Sequence, residues 1–138
     1  VQTFLPLPDF AESAAVLDRQ RLGKQRVEVL QLLGALTGQR PGWVNHPAAK
    51  MWRGHEVALA QYGLAVVAEW TSRGYRDTCG AKIEALVVGI PDPGAPRWLG
   101  DGAFHLSHRS NLVRKLPEHY ASLWPGVTGD LPYVWPIA

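Results

Sequence analysis

The sequence predicts an all-α chain: a compact single domain of about three main helices plus short helices, with an extended N-terminal arm and an aromatic C-terminal tail. Three observations carry this expectation. Apolar residues recur at helical spacing over long stretches. No pair of alternating apolar and polar segments suggests paired strands. Pro and Gly, 11 and 14 of the 138 residues, punctuate the chain into helical stretches. The length fits one domain spanning 1–138. With 46% hydrophobic and 19% charged residues there is enough apolar material for a core, and disorder is excluded.

Val1 to Pro8 is short and apolar, and prolines at 6 and 8 bar a helix there, so it reads as an extended arm. Asp9 caps a short helix over Phe10 to Val16. The spacing predicts a second helix from Asp18 to Leu36, ended by Gly38 and Pro41, with Leu22, Val29, Leu33 and Leu36 on one face. Gly23 weakens it by roughly 1 kcal/mol relative to Ala. Residues 39–46 form a loop, and Pro47 opens a long central helix running to Ser72, stopped by Arg73-Gly74-Tyr75. A shorter helix follows over Asp77 to Val88, then a Pro-rich loop from Ile90. Residues 103–115 read as the next helix, and Pro117 starts a last turn through Tyr120 to Trp124. The tail from Pro125, with Tyr133 and Trp135, is expected to drape over the body.

The lone cysteine, Cys79, excludes an intrachain disulfide framework and a thiolate-rich metal site. No apolar run approaches the ~20 residues needed to span a bilayer. No basic-then-apolar leader opens the chain, so the expected compartment is the cytoplasm, without a membrane partner. The net charge of +2 is too mild to identify a partner, so its distribution matters more. Residues 17–28 hold Arg19, Arg21, Lys24 and Arg26 against Asp18 and Glu28; residues 105–120 hold Arg109, Arg114 and Lys115 against Glu118, with His105, His108 and His119 added. Two basic stretches brought together form a groove for phosphates; kept apart, they are ordinary solvated helix faces. Arg26 lies on the apolar side of its helix, which demands a paired carboxylate or an anionic ligand. Arg21, Lys24 and Glu28 share one sector at i, i+3 and i+7, and Lys24 with Glu28 could equally be a surface pair worth ~0.3 kcal/mol. His105 and His108, one turn apart, with His46, lack the Cys or acidic partners of a zinc site, so no metal is expected.

The order and spacing of these motifs resemble the phage-type pyrimidine-dimer DNA glycosylase/AP lyase family, the endonuclease V of UV-damage repair, in a bacterial branch. The landmarks are the short arm, the motif Arg21-Leu-Gly-Lys-Gln-Arg-Val-Glu28, the Asn45-His46 entry to a long helix, its Arg73-Gly74-Tyr75 stop, the basic helix Ser107 to Lys115, and the aromatic C-terminus. In the phage pattern the catalytic Glu directly follows an Arg, whereas Val27 stands between Arg26 and Glu28 here.

The resemblance implies a bifunctional DNA repair glycosylase and AP lyase without a cofactor, acting as a monomer on damaged double-stranded DNA at the nucleoid. Its nucleophile would be the α-amine of Val1, or of Gln2 if that is the native first residue. An α-amine has a reference pKa of ~7.7–8.0 against ~10.4 for Lys, so a neutral fraction exists at pH 7. Lys24 is the fallback amine. Glu28 would stabilise the cationic intermediate and carry the C2′ proton. The DNA contacts would be Gln2, Arg21, Lys24, Gln25, Arg26, His46, His105, His108, Arg109, Arg114 and Lys115. Trp43, Tyr120, Tyr133 and Trp135 are candidates to stack on an extruded base, with core packing as their alternative. Pyrimidine dimers are the implied lesion and bulky ring-opened purines a rival. A non-catalytic binder of distorted duplex and a helical interaction protein with no nucleic-acid partner are the other readings.

Overall fold

The computed structural model describes residues 2–39 and 41–136. Among them are seven α-helices and no strand: α1 (Phe10–Val16), α2 (Arg19–Leu36), α3 (Pro47–Trp52), α4 (Glu56–Ser72), α5 (Gly80–Leu86), α6 (Gly102–Lys115) and α7 (Pro117–Tyr120), with a 3-10 turn at Pro41–Trp43. No helix of the described residues is long and apolar enough to cross a membrane. The all-α expectation holds, and α2, α4 and α6 are its three main helices.

Local chemistry sets the boundaries. Asp9 caps α1 by accepting from the Glu12 N–H, and Asp18 caps α2 by accepting from Arg21 N. Burial opposes the Asp18 charge, but hydrogen bonds from Tyr120 and from the Arg21 backbone and guanidinium outweigh it and hold the carboxyl below its usual range. His46 caps α3 through its Nδ1, and Asp101 caps α6.

Two boundaries differ from the sequence expectation. The single helix predicted from Pro47 to Ser72 is two helices, because Arg53 turns extended and Gly54 takes φ +86°, a left-handed conformation open to glycine. The helix predicted from Asp77 to Val88 is only Gly80–Leu86. Asp77 stands outside it and accepts from Cys79 N at 3.1 Å and Gly80 N at 2.7 Å.

One hydrophobic cluster draws on every α-helix and on the arm. It includes Leu5, Ala14, Leu22, Val29, Leu33, Trp52, Leu59, Tyr62, Ile83, Phe104, Leu112 and Tyr120. Tyr120 is therefore core: its hydroxyl donates to Asp18 Oδ1 at 2.5 Å, and it stacks on Trp124 rather than facing a cleft. α4 packs against α2 through Gly63, where an added Cβ would lie 2.6 Å from Val29 Cγ1 and 3.1 Å from Ile83 Cδ1. Gly63→Ala gains about 1 kcal/mol of helix propensity but overpacks this contact. We expect a net loss of about 1–3 kcal/mol in urea unfolding; an unchanged or raised midpoint would show that the α2–α4 seam has slack.

Candidate active site

The arm places the site. Gln2 to Pro6 is extended and lies under α2, α4 and α6, with no strand beside it to pair its backbone. Side chains do so instead. Gln2 N–H donates to Glu28 Oε2 at 2.7 Å. The Gln25 amide brackets Thr3, donating from Nε2 to Gln2 O and accepting at Oε1 from Phe4 N, both at 2.8 Å. Tyr62 donates its hydroxyl to Phe4 O. Leu5 N–H donates to His108 Nδ1 at 3.0 Å, and Leu5 O meets His105 Nδ1 at 2.8 Å. Arg109 Nη1 donates to Pro6 O at 2.7 Å.

These bonds fix two tautomers. His105 Nε2 accepts from Gly100 N, so its Nδ1 carries the proton donated to Leu5 O. His108 accepts at Nδ1 and so carries its proton on Nε2. Burial holds His105 below the ordinary histidine value and pushes His108 down to about 3, with the His105 charge adding to the latter.

Beside the arm opens a cleft of about 770 Å³. α2 supplies Gln20, Arg21, Lys24 and Glu28; the arm supplies Gln2 and Phe4; His46 comes from the start of α3 and Lys115 from the end of α6. Tyr133 and Trp135 of the tail close it. Three cations thus surround one carboxylate. Arg21 is also paired with Asp18 at 3.2 Å. His46 accepts from Ala48 N at Nδ1, which leaves Nε2 as the donor; burial lowers its pKa against the pull of the Glu28 charge. The tail is anchored by buried polar residues of α6: Leu131 N and Val134 N donate to Ser110 Oγ and Ser107 Oγ, and Asn111 Nδ2 donates to Leu131 O.

Of the residues expected to touch DNA, the fold brings Gln2, Arg21, Lys24, His46 and Lys115 together around Glu28. It takes the others elsewhere. Gln25, His105, His108 and Arg109 bind the arm. Arg26 pairs with Asp77 at 2.6 Å and lies over the Trp70 ring at 4.4 Å, so the anion required by its apolar position is a carboxylate of the chain itself. Arg114, exposed at the end of α6, donates to Asn111. Val1 lies outside the described residues. Trp43 lines a smaller adjoining hollow with Lys24, Glu28 and Gln31. Sequence reasoning missed Gln20 and Phe4 in the cleft. Among the described residues no three His, Cys, Asp or Glu side chains converge as metal ligands, and His46 stands apart from the His105–His108 pair.

The family model for pyrimidine dimer DNA glycosylase matches residues 1–83, more than half of the 138 residues. The chain belongs to this family and is a DNA repair glycosylase with DNA as its substrate. The matched stretch carries the arm, α2 and His46, whereas Lys115, Tyr133 and Trp135 lie beyond it. Neither a curated protein nor a solved structure matches the chain.

The histidine clamp has a pH signature. An unfolded histidine titrates near 6.5, the folded His108 near 3. Between those values the unfolded chain binds a proton that the folded one refuses, so stability is full above pH 6.5 and is lost as pH falls, by up to about 1.4 kcal/mol per pH unit. His46 and His105, also lowered, act in the same direction. Asp18 and Asp77, lowered from 3.8, lose their contributions only in more acid solution. The urea midpoint is expected to fall between pH 7 and 5. His108→Asn keeps an acceptor for Leu5 N–H without titrating, and should flatten that slope by about one proton. An unchanged slope would contradict the clamp.

Proposed function

We propose that the chain removes a damaged base from double-stranded DNA and then cuts the strand at the resulting abasic sugar, through a Schiff base on its N-terminal α-amine, with Glu28 as the partner carboxylate. One observation carries this reading: the Gln2 N–H lies 2.7 Å from Glu28 Oε2 in the wall of a cationic cleft. Covalent geometry alone keeps an α-nitrogen on the preceding residue within about 4 Å of the Gln2 nitrogen. A neutral amine tethered there is within reach of any sugar carbon that approaches Glu28.

The steps follow from the groups. The amine lone pair attacks C1′ while the C1′–N bond breaks and its electron pair leaves with the base. Glu28 offsets the positive charge on the sugar and takes a proton from the new ammonium. Glu28 passes that proton to O4′ as the ring opens at C1′–O4′, which leaves an iminium and the carboxylate ionised again. That cation acidifies the C2′ proton, which Glu28 or a water beside it removes, and the electron pair expels the 3′ phosphate. Arg21, Lys24 and Lys115 hold flanking phosphates, with His46 Nε2 as a neutral donor. Tyr133 and Trp135 offer aromatic faces to an unstacked base. In this reading residues 1–138 act as a single catalytic domain and as a monomer, on the nucleoid in the cytoplasm. Pyrimidine dimers are the lesion class the family implies. Lys24, exposed on the same wall, is the rival amine.

Borohydride reduction during turnover on an abasic duplex should trap a covalent complex, with peptide mapping placing the adduct on the first residue. Glu28→Gln should lose roughly 10²- to 10⁴-fold in strand cleavage while still shifting the duplex in a gel. An adduct on Lys24 would move the nucleophile, and no adduct together with full activity of Glu28→Gln would reject the reading.

A further inference from the structure

Gln2 is 8% exposed and lines the cleft. Its Oε1 accepts from Thr3 N at 2.8 Å, and this fixes the amide, because a flipped group would set its NH₂ against a donor. Nε2 is therefore the end left over. It is buried and makes no hydrogen bond of ordinary distance and angle; the Tyr133 hydroxyl is close enough for the Gln2 amide to act on it as a weak donor, lowering the phenol pKa against the burial that raises it. Buried amide donors are almost always satisfied, so one held without an ordinary hydrogen bond in a substrate cleft points to a ligand that completes it. The same residue's backbone N–H is on Glu28, so the free donor and the carboxylate belong to one small neighbourhood.

We propose that Gln2 Nε2 donates a hydrogen bond to the base that departs, at the acceptor adjoining the glycosidic nitrogen, which is O2 of a pyrimidine. This deepens the proposed function and rests on it. When the C1′–N1 bond breaks, its electron pair enters the pyrimidine ring and part of the charge resides on O2. A fixed N–H at O2 is stronger toward that anion than toward the neutral base, so it acts on the transition state. Glu28 cannot fill this role, since a carboxylate repels the departing anion. Gln2 gives up no proton: the base takes its proton from water after it has left. A purine presents N3 at the equivalent minor-groove edge, so the contact assists departure without by itself choosing the base.

The abasic-site reaction contains no leaving base, which separates the two steps. Base excision is measured on a duplex carrying a cyclobutane thymine dimer, and strand cleavage on the same duplex carrying an abasic site. Gln2→Glu keeps the acceptor for Thr3 N–H and removes the donor; Gln2→Met removes the donor without adding charge beside Glu28. Both should slow excision by on the order of 100-fold and lower the ratio of excision to abasic cleavage at least about tenfold. A ratio unchanged in Gln2→Met, with both steps reduced equally or not at all, overturns the proposal while leaving the proposed function standing. A wild-type chain that excises no base and cuts no abasic site overturns both.

Discussion

An extended segment buried without a neighbouring strand must find hydrogen-bond partners for its backbone elsewhere. Here they come from side chains of α2, α4 and α6. Gln25, Tyr62, His105, His108 and Arg109 between them hold the backbone from Gln2 to Pro6. Each buried amide or carbonyl left unpaired would cost about 1–3 kcal/mol, so the arm has one register in which all five side chains serve it. Shifting it by one residue would put donors against donors and take Leu5 out of the core. That register brings the Gln2 nitrogen to Glu28, and the site inherits its precision from the core beneath it.

The same requirement accounts for polar residues in unlikely places. Gln25 occupies a core position on α2, three residues after Leu22 and four before Val29, and is essentially inaccessible. Burial raises the Tyr62 pKa well above the ordinary phenol value, so it stays a donor. On α6, the histidines grip the arm while Ser107, Ser110 and Asn111 grip the tail. One helix thus ties both the arm and the tail to the walls of a single cleft. Bonds of this kind are lost together when the arm leaves, which couples the integrity of the site to the packing of the core.

Much of the architecture was legible in the sequence because it is encoded locally. The cap at Asp9, the prolines of the arm and the period of α2 each act over a few residues. The Arg53–Gly54 break was not legible, because a glycine within a helical stretch signals equally a close helix contact, as at Gly63, and a left-handed turn. At the site, the shared face of Arg21, Lys24 and Glu28 followed from helical spacing, and Val27 does not displace Glu28: the residue is turned outward and leaves the carboxylate on the arm. That Gln25, His105, His108 and Arg109 serve the arm was not legible, for a physical reason. Their partners are backbone atoms 21 to 103 residues away, and a polar residue reads the same whether it serves a ligand or a buried peptide. The signal that was present is position: Gln25 interrupts an apolar stripe, which is where a residue serving a buried backbone should stand.

The most direct test of this account is amide hydrogen exchange at Phe4 and Leu5, whose N–H groups are held by Gln25 and His108. The account predicts exchange slowed to within a few-fold of the slowest core amides of α2, since both groups open only when the arm leaves the fold. Exchange at the rate of an unstructured peptide, in a chain whose α2 amides stay protected, would contradict it and remove the basis for placing Gln2 beside Glu28.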